Sequence, residues 1–533
     1  MVSTSPFFLS LILALLLTLV TAVAPIVDVS YSRYQGKDNG NGVTSWLGMR
    51  YAAPPIGDLR FMPPQDPIRS RQVKDARKFR LKCVGLQARP SLIGKSQSED
   101  CLFINVFAPT DAARMARLPV YVFIQGGGFN GNSKPHVDGT GLIQASGMKM
   151  IVVTLNYRVS VFGFLSYGDK VQPNIGLLDQ RKALQWVQKY ISRFGGNPKH
   201  VVLGGNSSGA ASVAFHLTLY GGRNDRLFHA ASAESISSSP IVTMDQAAYR
   251  ANSIMSKLGC TQGDAIACMR NKTIYEISAV NTNYLSPGST KTPISMWMPV
   301  IDGDMVRSGL WEAFNKGNFI RVPTIIGATT NEGIGFAPSV SSQSEADGFW
   351  QAEYPEMNST HIASITALYT DLTADCNDIR CFTKRLKDSY GDMRFMCSGL
   401  SYTSAMSFWM PDKTWSYWYN VEDAPGKGVP HCAEMHAIWG TGRASSGTLS
   451  SFLDGGINAN TTVVAQGYWT SFIRSYNPNI YKYANAAIWQ AYFKSQRQRI
   501  VFEVGGKTMM QNITQTVKDR CDYFNTIASQ VQQ

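Results

Sequence analysis

Val201-Val202-Leu203-Gly204-Gly205-Asn206-Ser207-Ser208-Gly209-Ala210-Ala211-Ser212-Val213-Ala214-Phe215 decides how this chain is read. It begins as a β-branched apolar run, breaks around one serine, and resumes as an alanine-rich segment suited to a helix. A strand-to-helix turn that tight leaves little room. Gly205 and Gly209 keep side chains out of the crowded backbone approach, so Ser207 projects from the turn. The Gly-x-Ser-x-Gly pattern is weak by itself. With 46 glycines in 533 residues, roughly 0.4 such matches arise by chance. Its position between strand and helix carries the weight.

Similar strand-like runs lie on either side, each leading into a loop with a notable residue. Val120-Tyr121-Val122-Phe123-Ile124 enters Gln125-Gly126-Gly127-Gly128, and Met150 to Leu155 has the β-branched character of a buried strand. Pro323-Thr324-Ile325-Ile326-Gly327 precedes Glu332, Trp415 to Val421 precedes His431, and Ile500 to Val504 reads as a late strand. Helical stretches such as Asp179 to Phe194 and Thr462 to Ser475 alternate with them. The pattern predicts an α/β fold with a mostly parallel central sheet covered by helices on both faces. Functional residues of such sheets sit beyond the carboxyl ends of the strands, where Ser207, Glu332, His431 and the triple glycine all fall. Residues 236–320 and 337–410 fit the strand pattern poorly and read as large insertions capping the site.

A serine needs a base before it is a useful nucleophile. Among seven histidines, His431 follows a late strand in a Gly/Pro-containing loop, and imidazole shuttles protons near neutrality. His200, His216 and His436 lie beside or inside strand and helix patterns and are weaker rivals. Glu332 would orient the imidazole. Glu434, three residues past His431, is given a supporting role. Backbone N–H groups of Gly127, Gly128 and Ser208 are the candidate oxyanion donors.

Composition bounds the setting. Met1 to Ala24 has no charge and one apolar block shorter than the roughly 20 residues of a membrane span. Cleavage after Ala22 would leave 1–22 as signal peptide and 23–533 as one mature domain. The n-region lacks a basic residue, which leaves an uncleaved anchor as the alternative. No second apolar block is long enough to span, so stable membrane insertion of the mature chain is not expected. Nine cysteines allow four bridges and one thiol in an oxidising compartment, with the pairing open. Sequons at Asn271, Asn358, Asn460 and Asn512 agree with a secretory route, whereas one at Asn206 is too confined to be modified. The net charge of +13 is scattered apart from a mild cluster from Arg69 to Lys82. It reads as a solvated surface, and no nucleic-acid motif accompanies it.

Longer motifs resemble one family. Glu99-Asp100-Cys101-Leu102-Phe103-Ile104-Asn105-Val106-Phe107-Ala108-Pro109 and Phe194-Gly195-Gly196-Asn197-Pro198-Lys199-His200 running on to Gly209 are similar to the two signatures of the type-B carboxylesterase/lipase family, which includes cholinesterases and fungal lipases. Asn156-Tyr157-Arg158, Gly176 to Gln180 and Tyr51 to Gly57 look like further landmarks. The resemblance covers nearly all of the mature sequence and falls closest to a fungal secreted subgroup. It implies an α/β-hydrolase fold and a Ser207–His431–Glu332 triad working through an acyl-enzyme, with no metal and no cofactor. The partner it implies is a small-molecule ester. It also implies bridges Cys83–Cys101, Cys260–Cys268, Cys397–Cys521 and Cys376–Cys381, with Cys432 free, and a supporting role for Ser235.

Three features depart from the family pattern. Gln125 stands where a histidine is usual, and its amide is expected to brace the glycine loop. Asn206 and Ser208 replace an acidic residue and an alanine. Only 17 residues separate Cys83 from Cys101, shorter than in relatives with a mobile lipase flap. The expectation is a secreted serine carboxylic ester hydrolase. A lipase on longer acylglycerols and a tailoring esterase or lactonase of secondary metabolism are alternatives within the class. A catalytically silent cholinesterase-like binding protein lies outside it, although the chain keeps every triad member.

Overall fold

Residues 25–112, 116–133, 136–369, 379–443 and 449–533 are described by the structure, a computed structural model. Segment 1–22 and Cys376 lie outside them. An 11-stranded sheet organises the fold. Its strands, in chain order, are β1 (Lys37–Asp38), β2 (Val43–Arg50), β3 (Phe103–Pro109), β4 (Leu118–Ile124), β5 (Ile151–Leu155), β6 (Gly196–Asn206), β7 (Ala230–Glu234), β8 (Thr324–Thr329), β9 (Thr414–Asn420), β10 (Gln498–Glu503) and β11 (Lys507–Asn512). Their spatial order is β11-β10-β9-β8-β7-β6-β4-β5-β3-β2-β1. From β10 across to β5 every neighbouring pair is parallel, while the strands flanking that block pair antiparallel.

Parallel strands buried on both faces should carry apolar runs, and β4, β5 and the Val201–Leu203 stretch of β6 do, buried throughout apart from the first two residues of β4. Val120, Val122 and Ile124 of β4 enter one apolar core while Tyr121 and Phe123 enter the other. Val201 and Leu203 of β6 divide from Val202 in the same way. The helix Ser208–Gly222 covers the first face through Ala210, Ala211, Val213, Ala214 and Phe215. The helix Ala459–Ser475 covers the second through Val464, Ala465, Tyr468, Trp469 and Phe472. Because β4, β6, β7, β8 and β9 are parallel, the loops after them emerge along one edge. That edge carries the candidate residues.

The three expected bridges between described cysteines are present: Cys83–Cys101, Cys260–Cys268 and Cys397–Cys521. Cys381 is disulfide-bonded too, but its expected partner Cys376 lies outside the described residues. Among the described cysteines, Cys432 is free and buried.

One expectation needs correcting. Residues 337–410 were assigned wholly to a cap, yet the helix Cys397–Trp409 packs on β8 and β9 as a covering helix of the sheet. Its mixed Ser, Thr and aromatic content hides the apolar stripe that periodicity would reveal. Buried salt bridges account for several family landmarks. Asp179 accepts from the Arg158 backbone at 3.0 Å and from its guanidinium at 2.8 and 2.7 Å. Arg60 pairs with Glu99 in the same buried manner, whereas the Arg50–Asp100 pair is partly exposed.

Candidate active site

Ser207 occupies the turn between β6 and the helix Ser208–Gly222 with φ 58° and ψ −125°. A non-glycine residue in that region is strained by about 1–3 kcal/mol, so its surroundings must hold it. Ser207 N–H donates to the Glu234 carbonyl at 2.9 Å, and the Ser207 carbonyl accepts from Ala211 N–H at 2.9 Å. A Cβ on Gly205 would meet the Gly209 carbonyl at 2.5 Å, and one on Gly209 would meet that of Ile124 at 2.0 Å. Both glycines are therefore steric requirements of the turn.

Glu332 and His431 come together although 99 positions separate them. Their loops leave adjacent parallel strands, β8 and β9, and meet again in a bridge between Asn331 and Pro430. Asn331 locks it, donating its N–H to the Val429 carbonyl at 2.9 Å and accepting Val429 N–H on Oδ1 at 2.9 Å. His431 Nδ1 then lies 2.5 Å from Glu332 Oε2, while Glu332 Oε1 accepts Thr329 N–H at 2.7 Å. Burial alone would lower the imidazole pKa, but Cys432 and the Glu332 carboxylate outweigh it and raise it to about 10. His431 Nε2 is buried without a hydrogen-bond partner. It and Ser207 line one cavity of about 760 Å³. No hydrogen bond joins the two residues, a contact that commonly closes only in a substrate complex.

Gly127 and Gly128, with φ of 124° and 62°, turn their loop along the same cavity. Their carbonyls are used, Gly127 accepting from Asn130 N–H and Gly131 N–H at 3.0 Å each. Their own N–H groups donate to no described residue. Ser208 N–H, in the first turn of its helix, has no intrahelical acceptor either. Gln125 stands at the start of this loop and is itself held by hydrogen bonds. Its amide donates to the Leu155 carbonyl at 3.4 Å and Asn156 Oδ1 at 3.2 Å, beside the end of β5. Asn206 does more than space the elbow. Its Oδ1 accepts Gly126 N–H at 3.2 Å and its Nδ2 donates to Cys432 Sγ at 3.3 Å, so one side chain ties the Ser207, glycine and His431 loops.

Ser235 Oγ donates to Glu434 Oε1 at 3.0 Å, and Tyr417 OH reaches the same oxygen at 2.8 Å. Burial, and then the charge of Glu332, hold the Glu434 carboxyl above the ordinary range. Two residues escaped the sequence reading. Phe336 packs edge-on against His431 at 5.0 Å between ring centroids, and Phe395 lies at 4.4 Å. Nothing in their local sequence marks them, because Phe336 arrives from the loop after β8 and Phe395 from the helical segment Asp392–Met396. The rival histidines divide. His200 Nε2 pairs with the Ile473 carbonyl and His216 with Gln180, and burial pushes His216 down to about 3. His436 lines the cavity but sits in the short helix Met435–Trp439 that follows the His431 turn.

A serine at a strained strand-to-helix turn, a carboxylate-held histidine and an amide-lined glycine loop on one edge of a parallel sheet define an α/β-hydrolase. The profile of the carboxylesterase family matches residues 23–523, so the chain belongs to that family. Acetylcholinesterase of Electrophorus electricus is 32% identical over 73% of this chain, which spans 65% of that enzyme's length. Para-nitrobenzyl esterase of Bacillus subtilis is 28% identical over 90% of this chain and 94% of its own. The crystal structure of Aspergillus niger EstA superposes with a TM-score of 0.90 at 36% identity, covering 96% of this chain and 99% of that one. Family and relatives make this chain a carboxylic ester hydrolase.

Proposed function

We propose that Ser207 is the nucleophile of this esterase, His431 its general base and Glu332 the acid that orients the imidazole. The observation carrying the reading is the His431 Nδ1–Glu332 contact at 2.5 Å with Nε2 left unpartnered on the cavity that Ser207 lines. With Nδ1–H held by the carboxylate, Nε2 takes the Ser207 proton as Oγ bonds to the ester carbonyl carbon. The carbonyl electrons move to oxygen, where N–H groups of Gly127, Gly128 and Ser208 receive the charge. Collapse expels the alcohol, protonated by the imidazolium. Water then repeats the sequence on the acyl-enzyme, releasing acid and free Ser207.

The substrates are esters of small to mid-sized acids. The loop between Cys83 and Cys101 supports this over a lipase reading, because it contributes no residue to the cavity wall and is pinned. Leu86 N–H donates to the Asn130 carbonyl at 2.7 Å, Gln87 N–H to that of Asn281 at 2.9 Å, and Glu99 is clasped by Arg60. A loop so held does not swing open at a lipid surface. The mature chain from residue 23 is secreted as one domain, in the manner of the fungal members. Three described disulfides, four exposed sequon asparagines and no described helix long and apolar enough to cross a membrane support that destination. Ser207→Ala should abolish p-nitrophenyl butyrate turnover; undiminished turnover would remove the triad assignment. Rate should not jump when a longer-chain ester passes into micelles, and a clear jump would favour the lipase reading.

A further inference from the structure

A second cavity, of about 230 Å³, abuts the first along Ser295, which lines both. A Cβ on Gly128 would meet Ser295 Oγ at 2.9 Å, so the shared wall packs against the glycine loop. Arg250, on the helix Met244–Lys257, lines this second cavity while only 7% exposed. Its Nε and Nη1 are buried without a hydrogen-bond acceptor, and no carboxylate pairs with it among the described residues. The Tyr249 ring at 5.8 Å is its recorded compensation. A guanidinium withdrawn from water with no counter-charge is unfavourable, and proteins ordinarily pair such a group.

The rest of the cavity reinforces the imbalance. Ser239 lines it with a buried Oγ that also lacks a partner. Arg394 on the same wall is neutralised, its Nη1 lying 2.8 Å from Glu353 Oε2, which also accepts from Tyr390 at 2.7 Å. Glu356, the other carboxylate, is exposed at the rim and forms no ion pair with Arg250. Arg250, without a counter-charge, and Ser239, with an unpartnered hydroxyl, thus both line a space large enough for a few heavy atoms. We propose that this cavity is a carboxylate-binding site, with Arg250 as the cation and Ser239 as a hydroxyl donor. A planar fork meets a carboxylate with two parallel N–H···O bonds, which suits this group better than a single-point anion.

Two sources of the carboxylate follow from the position. It can belong to the substrate, whose second acid group would reach past Ser295 while the ester carbonyl sits at Ser207. It can instead be a free carboxylic acid entering at the rim. The first source rests on the proposed esterase mechanism; the site itself does not. Glutarate titrated into the Ser207→Ala protein, followed by thermal melting, should raise Tm saturably, and the added Arg250→Met change should remove the rise while Arg250→Lys keeps part of it. In otherwise unaltered enzyme, kcat/KM for mono-p-nitrophenyl glutarate relative to p-nitrophenyl valerate should fall about tenfold or more on Arg250→Met. Loss of both effects in Arg250→Met assigns the carboxylate to the substrate. A Tm effect without the kinetic one assigns the same site to a free acid. No glutarate-dependent Tm rise and an unchanged kinetic ratio would overturn the proposal. Failure of the enzyme to turn over p-nitrophenyl valerate would strike the esterase mechanism and leave the melting test standing.

Discussion

Replacing Glu332 by glutamine isolates the charge that the account assigns to the histidine. The substitution preserves shape, and the Thr329 N–H still needs an acceptor, so the glutamine oxygen stays where Glu332 Oε1 receives it at 2.7 Å. The amide NH2 then faces His431 Nδ1, where the carboxylate stood at 2.5 Å. That donor makes Nδ1 an acceptor and moves the imidazole proton to Nε2, the atom required to take the Ser207 proton. Wrong tautomer and lost counter-charge together should reduce kcat about a thousandfold or more, or roughly 4 kcal/mol of transition-state stabilisation. The pH profile supplies an independent sign. Only neutral imidazole is a base, so wild-type kcat/KM should rise with pH toward an inflection well above 6.5, following the pKa of about 10. Loss of a carboxylate in contact should bring that inflection down by about 1–3 units, because burial, which lowers the pKa, is then less opposed. Initial rates with p-nitrophenyl butyrate between pH 5 and 11, corrected for spontaneous hydrolysis, measure both. A decrease under tenfold, or an inflection that stays in place, would refute the reasoning.

Asn206→Leu should lower kcat and destabilise the fold by about 1–3 kcal/mol, since it strands the buried Gly126 N–H and releases Cys432; an unchanged melting curve would contradict the bridging role. Burial raises the Glu234 carboxyl to about 8, so its proton is held on folding but lost in the unfolded chain above the ordinary carboxylate range. Stability should therefore decline as pH rises from about 4.5 toward 8, and Glu234→Gln should flatten that decline in urea titrations across this window. Cys397→Ser opens a bridge spanning 124 positions and should cost about 4–5 kcal/mol in the chain-entropy picture, read from the urea midpoint.

Some of this was legible before any coordinates. Runs such as Val120 to Ile124 and Val201 to Leu203 announce buried strands because both sheet faces are covered, and continuous apolarity is the mark of that burial. The elbow was legible because a glycine-flanked serine between strand and helix has few steric solutions. The pairing of Glu332 with His431 was suggested by chain order and family resemblance, but the contact depends on the parallel register of β8 and β9 and on Asn331 clamping Val429. No local pattern encodes that register. The bridging contacts of Asn206 were not legible, because a side chain reaching two distant loops leaves no trace in spacing. Cys397–Trp409 was misread as cap because its sheet-facing stripe includes Ser398 and Thr403, whose hydroxyls bond back to the helix at the Arg394, Phe395 and Gly399 carbonyls. Arg250 lies on the helix Met244–Lys257, and only the packing around that helix withdraws its guanidinium from water.

The central claim is that one serine is activated at one place. Labelling with a fluorophosphonate, followed by peptide mass spectrometry, tests it directly. A single adduct on Ser207 is expected, absent in Ser207→Ala and formed far more slowly in His431→Gln. An adduct on another serine, or undisturbed ester turnover by enzyme fully labelled at Ser207, would contradict it.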